Sequence, residues 1–286
     1  MTAPILRRLS DLRAKTAEWR RNGETIGLVP TMGALHAGHL SLAKTARETC
    51  DRVIVTIFVN PKQFNKPEDL ENYPRTEHED AAKLAPLGVD LIYCPDPDQI
   101  YPDGYATNVS VGGSITAVME GPFRPGHFDG VATVVAKLFL QTSADKAFFG
   151  QKDYQQLMVV TRMARDLDIP IEVVGCETVR EASGLAMSSR NLLLPKEALT
   201  KAAALNAAMR DAAAKATAGE PWAPLEAAAR QALAEAGFTD VEYFDLRCAE
   251  TLEALATLSR PARLLAAAWM DGVRLIDNIE VMELKY

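Results

Sequence analysis

The stretch Val53-Ile54-Val55-Thr56-Ile57-Phe58-Val59 is the segment that most restricts what this chain can fold into. A nearly continuous apolar run rich in β-branched residues suits a strand covered on both faces, the environment found inside a parallel sheet. Upstream, Thr25-Ile26-Gly27-Leu28-Val29 reads as a shorter strand of the same kind. Between the two, Leu40, Ala43 and Ala46 recur at helical spacing with Lys44, Arg47 and Glu48 among them. Strand, helix and strand in this order form a βαβ unit, so the spacing predicts an α/β fold built on a parallel sheet.

The turn inside that unit, Pro30-Thr31-Met32-Gly33-Ala34-Leu35-His36-Ala37-Gly38-His39-Leu40, joins a strand to a helix start. Helix N-termini present unpartnered N–H groups and the positive end of the macrodipole, so such turns hold anions. Gly33 and Gly38 have the spacing of a P-loop, but His39 and Leu40 stand where that motif needs Lys and Ser or Thr. The turn offers two imidazoles instead. His36 and His39, three apart, share one face of the first helical turn, and each can donate an N–H to a phosphate oxygen. Gly38, without a Cβ, leaves room for a flat ring or a phosphate. A zinc site is a poor reading of the pair, because metal-binding histidines on a helix are four apart and no third ligand lies close in sequence.

The chain has 286 residues, enough for one large or two modest domains, and 48% of them are hydrophobic, which supplies real cores. A formal charge of −7 argues against a nucleic-acid surface, which needs a clustered positive face. Cys50, Cys94, Cys176 and Cys248 are far apart without any Cys-x-x-Cys, so neither a disulfide framework nor a zinc knuckle is expected and a reducing cytoplasm fits. The first twelve residues lack the apolar core of a secretion signal, and no apolar run reaches membrane-spanning length.

Along the rest of the chain, residues 4–22 read as a helix with Leu6, Leu9, Leu12 and Trp19 on one face, ended by Asn22-Gly23. The strand at 53–59 runs into Asn60-Pro61-Lys62-Gln63-Phe64, a polar turn at a strand's carboxyl end, where open α/β sheets place ligands; a solvated Pro-initiated loop is its plainer reading. Thr76 with Glu79 looks like a capping box for a helix ending near Gly88, followed by a third strand at 89–93 and a loop at 94–103. Residues 119–130 form a Pro- and Gly-shaped loop before a helix at 131–140, with Glu120 and Asp129 as weak candidates for magnesium contacts. A fourth strand at 146–150 precedes a helix at 151–166, and a fifth spans 169–174. Lys152 sits early in that helix, unfavourably placed against the dipole unless an anion is near. From Pro195 the pattern becomes two Ala-rich helices, about 195–217 and 221–236, and three strands near 241–247, 263–270 and 273–281. We therefore expect an α/β domain over 1–180 and a smaller α+β domain over 181–286 that covers a cleft, with the polar loop Gly184-Leu185-Ala186-Met187-Ser188-Ser189-Arg190-Asn191 at the seam.

His-x-Gly-His after a first strand resembles the signature of the nucleotidyltransferase superfamily. Together with Asn60–Phe64, Met119–Gly130, Gln151-Lys152-Asp153-Tyr154-Gln155-Gln156 and Gly184–Asn191 in the same order, it resembles the pantoate–β-alanine ligase family. Members often have Glu where this chain has Gln151. The resemblance implies a Rossmann-like fold and a homodimer using Mg²⁺ and ATP, with pantoate and β-alanine as small-molecule partners. For the residues, it implies ATP contacts from Pro30, Thr31, Met32, Gly33, His36, Gly38, His39, Gly150, Lys152, Asp153, Val179, Met187, Ser188, Ser189 and Arg190. Within that set it gives His36, His39, Lys152 and Arg190 the catalytic roles, and it lines a pantoate pocket with Gln63, Gln156, Val134 and Val135. It does not identify metal ligands. A plain adenylyltransferase and a nucleotide-binding sensor are the rival readings, while a tRNA ligase is disfavoured by the acidic balance.

Overall fold

The computed structural model describes residues 2–64 and 67–281 and divides them into two units. The last five positions of the expected second domain, 282–286, lie outside the described residues. The first unit comprises residues up to Gly112, Glu120–Gln151 and Gln155–Glu177; the second comprises Gly113–Met119, Lys152–Tyr154 and the chain from Thr178.

In the first unit the order is β1 (Ile5–Leu6), α1 (Leu9–Arg21), β2 (Ile26–Thr31), α2 (Ala37–Thr49), β3 (Arg52–Ile57), α3 (Pro67–Glu71), α4 (Glu77–Leu84), β4 (Leu91–Tyr93) and α5 (Pro97–Ile100). After α6 (Ser114–Ala117), which belongs to the second unit, the first resumes with α7 (Glu120–Phe123), α8 (His127–Thr142), β5 (Lys146–Gly150), α9 (Tyr154–Asp166, its first residue Tyr154 counted with the second unit) and β6 (Glu172–Cys176). The strands form one sheet in the order β1-β4-β3-β2-β5-β6, with every pairing parallel. Val29, Val53, Val55, Ile92 and Phe148 are buried from these strands against Leu42, Ala43 and Ala46 of α2 and Ala81 and Leu84 of α4. Two-sided burial explains why β3 is apolar throughout and not alternating.

The sheet reverses direction between β2 and β5. β3 and β4 build outward from β2 on one side, β6 builds outward from β5 on the other, and β2 pairs with β5 only at Gly27 and Leu28. The two carboxyl ends are thus unzipped from one another, which defines the crevice where doubly wound sheets bind ligands. Pro30 lies in this unpaired part of β2, where its missing N–H costs nothing on the β5 side.

Several expected boundaries shift. The helix expected over 4–22 begins only at Leu9, because Ile5 and Leu6 pair with Ile92 and Tyr93 as an edge strand, which makes six strands where five were expected. The third strand shortens to Leu91–Tyr93, and the fifth moves to Glu172–Cys176 in register with Lys146–Gly150. The expected loop at 94–103 contains the turn of helix α5, and α8 starts at His127, four residues before the expected position, so Val134 and Val135 sit in its third turn. Thr76 is not a side-chain cap; its hydroxyl donates to Asp80 Oδ2 at 3.1 Å.

The second unit contains α6 and, later in the chain, α10 (Lys196–Lys201), α11 (Ala204–Thr217) and α12 (Trp222–Glu235), then β7 (Asp240–Cys248), β8 (Ala262–Met270) and β9 (Val273–Val281). The helix expected over 195–217 is broken at Ala202-Ala203 into α10 and α11. β7, β8 and β9 form an antiparallel sheet in that order, whose Phe244, Leu246, Leu264 and Ala266 pack with Leu205, Met209, Leu225 and Leu233 of the helices.

Candidate active site

The turn from β2 into α2 is built by its own histidines. His36 is the N-cap of α2: its Nδ1 accepts from Gly38 N at 3.1 Å, while His36 N donates to His39 Nδ1 at 3.4 Å, a reciprocal box made of two imidazoles. An imidazole accepting at Nδ1 keeps Nε2 for donation, so in both rings Nε2 is the nitrogen able to donate. Their centroids are 4.1 Å apart. Gly38 is required by this packing, since a Cβ there would sit 2.8 Å from His36 Cε1.

The preceding residues are held in an uncommon backbone shape. Gly33 and Ala34 have φ of 86° and 50°, left-handed values that cost an alanine energy. Asp80 of α4, fully buried, accepts from Ala34 N at 2.9 Å and Leu35 N at 2.8 Å, and Lys83 Nζ donates to Leu35 O at 2.9 Å. Thr31 Oγ1 ties the end of β2 to Thr56 O at 2.6 Å and accepts from Gly33 N. Pro30 and Met32 are half-buried beside it.

At the end of β3 a single turn of 3-10 helix, Pro61–Gln63, is capped by Asn60. Asn60 is fully buried and donates to Gln63 Oε1 at 2.9 Å and Gly130 O at 3.0 Å, while Tyr101 OH donates to Asn60 Oδ1 at 2.8 Å. Burial pushes the Tyr101 phenol up, which keeps it a donor. The Gln63 amide is therefore oriented with its oxygen toward Asn60, leaving its nitrogen as the outward donor. Gln63 O meets His127 Nδ1 at 3.1 Å, and α8 lies so close that a Cβ on Gly130 would fall 2.2 Å from Lys62 O. Val134 and Val135, each 5% exposed, continue the same helix. Lys62 and Lys137 both stack on the Tyr105 ring, at 4.6 and 4.9 Å from its centroid, which places two cations beside this turn. Burial first, and then the charge of Lys62, lowers the Lys137 pKa.

β5 ends at Gly150, where a Cβ would meet no protein atom. Gln156 is half-buried in the first turn of α9, next to Gln155, whose Oε1 accepts from Glu120 N at 3.1 Å. Glu120 is buried and its Oε2 lies 3.4 Å from Arg124 Nη1, an engaged carboxylate.

The other expected contacts belong to the second unit. Lys152 is largely buried, with Nζ 3.7 Å from Asp153 Oδ1, and its carbonyl accepts from Asn278 Nδ2 at 2.7 Å. Met187 N donates to Val179 O at 3.0 Å. Ser188 caps the short helix Ser189–Leu193, accepting from Arg190 N at 3.2 Å, and Asn191 Nδ2 holds Ala186 O at 3.0 Å. Arg190 is half-buried. Among the described residues, no three His, Cys, Asp or Glu side chains converge as a metal site, and no helix is long and apolar enough to cross a membrane.

Within the first unit, then, the structure joins His36, Gly38 and His39 in one capped turn and sets Gln63 against the helix that carries Val134 and Val135. Asn60, Asp80 and Asn278 were missed as supports. Asn60 had a legible signal, an Asn directly before a Pro-initiated turn; Asp80 and Asn278 read as ordinary polar positions of a helix and a strand.

The family model described as pantoate-beta-alanine ligase matches residues 4–280. A pantothenate synthetase of Ruegeria sp. (strain TM1040) is 70% identical over 281 residues, covering 98% of this chain and 100% of that relative. One of Ruegeria pomeroyi is 69% identical, covering 99% of each. Among solved structures, a pantothenate synthetase from Thermus thermophilus superposes with a TM-score of 0.90 at 45% identity, covering 97% of this chain and 99% of that one. A Francisella tularensis pantoate-beta-alanine ligase, solved with beta-gamma ATP and beta-alanine, gives 0.81 at 33% identity over 97% of each. Matched along nearly its whole length in sequence and fold, the chain belongs to the pantoate–β-alanine ligase family.

Proposed function

We propose that this enzyme joins pantoate to β-alanine in two steps through a pantoyl adenylate. A carboxylate oxygen of pantoate attacks the α-phosphorus of ATP and the bond to pyrophosphate breaks. The β-alanine amine then attacks the acyl carbon, the bond to AMP breaks, and the amine loses a proton as the amide forms. The observation that carries this reading is the pair of imidazoles locked by their own capping bonds at the sheet's reversal point. Two preorganised Nε2–H donors suit non-bridging phosphate oxygens, whose charge grows during transfer, and they need no reorganisation at that moment.

Lys152 and Arg190 neutralise charge on the transferred and leaving phosphates, Ser188 and Ser189 donate to the triphosphate, and Gln63 and Gln156 orient pantoate over the apolar wall of Val134 and Val135. Pro30, Thr31, Met32 and Gly33 shape the nucleotide turn; Gly150, Asp153, Val179 and Met187 complete the ATP contacts. The nucleotide-facing groups are mostly N–H, hydroxyl and cationic donors, which fits Mg²⁺ carried by the triphosphate, with Asp153 as a carboxylate able to meet its hydration shell. When bound, the metal would neutralise the departing pyrophosphate.

The test uses pantoate labelled with ¹⁸O in its carboxylate. Label recovered in AMP, with sustained turnover only when β-alanine is present, is the expected result. ADP as product, or unlabelled AMP, would overturn the adenylate route.

A further inference from the structure

Two consecutive residues of β9, Asp277 and Asn278, are 4% and 2% exposed, although β9 is an edge strand of its sheet. Alternation sends their side chains to opposite faces, and each engages a different loop. Asn278 Nδ2 donates to Lys152 O at 2.7 Å, and Asn278 Oδ1 accepts from Arg263 Nη1 at 2.6 Å. The Arg263 guanidinium in turn lies 4.0 Å from the ring centroid of Tyr154, whose OH donates to Ala249 O at 2.9 Å. Lys152 is thus pinned at its carbonyl and braced two residues later.

Asp277 serves the other loop. Its Oδ2 and Oδ1 accept from Arg180 Nη1 at 2.7 Å and Nη2 at 2.9 Å; the same guanidinium also donates to Gly184 O at 3.0 Å and Asn278 O at 3.1 Å. Arg180 bridges to Ala186, and Asn191 fixes the Ala186 carbonyl, so the turn bearing Ser188 to Arg190 is tied back to the same strand position. Burying an Arg–Asp pair is seldom the most stable solution, since apolar residues of similar volume often do as well or better. What such a pair adds is a defined geometry.

We propose that Asp277–Asn278 is a positioning device that sets Lys152 and the Arg190 loop from one rigid strand, Asn278 acting through the Lys152 backbone and Asp277 through Arg180. The assignment rests on the phosphate-neutralising roles given above to Lys152 and Arg190. Neither β9 residue needs to touch substrate. A small misplacement of a phosphate-facing cation costs up to ~10²-fold in rate, so this support should be visible in turnover.

Asn278→Asp is isosteric and keeps an acceptor for Arg263, but sets an oxygen against the Lys152 carbonyl. We expect single-turnover pyrophosphate release to fall about 10- to 100-fold, with KM for pantoate unchanged and a thermal midpoint close to that of the parent. In a Lys152→Ala background the same substitution should change the rate by less than about 2-fold, because coupled residues are not additive. An equal loss in both backgrounds, or parental turnover by Asn278→Asp, would overturn the proposal while leaving the roles of Lys152 and Arg190 intact. Normal turnover by Lys152→Ala alone would instead remove the reading on which it rests. If Asn278→Asp does not fold, Asn278→Ser takes its place in the cycle; if neither folds, the residue is structural and the proposal fails.

Discussion

At the residue scale, His36 caps α2 through Nδ1, and the function proposed above gives it a second, separable job as a phosphate donor through Nε2. Asn is among the best caps but has no imidazole. We therefore expect His36→Asn to keep the parental thermal midpoint, and His36→Ala to lose about 1 kcal/mol of stability with the cap. Both should lose ~10²–10³ in kcat/KM with the donor. Parallel melting and steady-state assays check this, and normal turnover by the Asn variant would remove His36 from the chemistry. The histidines themselves were legible, because their spacing after a strand is a local pattern. Asp80 was not. In Glu77-His78-Glu79-Asp80 it looks like one more solvated charge at a helix start, and only the folded chain shows it fully buried beneath the amides of Ala34 and Leu35.

At the element scale, β4 concentrates groups that resist ionisation. Burial pushes the Tyr93 phenol from 10.0 up to about 12 and the Cys94 thiol, immediately after the strand, from 9.0 up to about 12. Because both folded values lie above the unfolded ones, their contribution to stability is complete below about pH 9 and is lost as pH rises toward 12. Circular dichroism should show stability declining through this window, and Cys94→Ala should flatten the first part of the decline, between about pH 9 and 10. An unchanged slope would mean that Cys94 is not held as a neutral thiol. Elements with long uniform patterns, such as β3, β5 and the three C-terminal strands, were readable because burial imposes its period locally. β1 was not, since Leu6 also suits a helical face with Leu9 and Leu12, and only pairing with Ile92 and Tyr93 makes it a strand. The break between α10 and α11 falls in Ala202-Ala203, residues with high helix propensity that carry no stop signal.

At the scale of the whole molecule, the magnesium proposed above arrives with the triphosphate and not as part of the fold. Chelation with EDTA should then stop turnover, Mg²⁺ should restore it, and the thermal midpoint should stay where it was. A midpoint that falls with chelation would show a metal built into the fold. The sequence by itself determined the parallel α/β core, the antiparallel C-terminal strands and the strand-to-helix turn that carries His36 and His39, because apolar period and turn chemistry act between near neighbours. Only the tertiary structure decided that β2 and β5 part at the sheet's reversal, that Asp80 and Asn60 brace the turns after β2 and β3, and that β9 holds Lys152. Each of these depends on hydrogen bonds between residues distant along the chain, and no local pattern encodes such a partner.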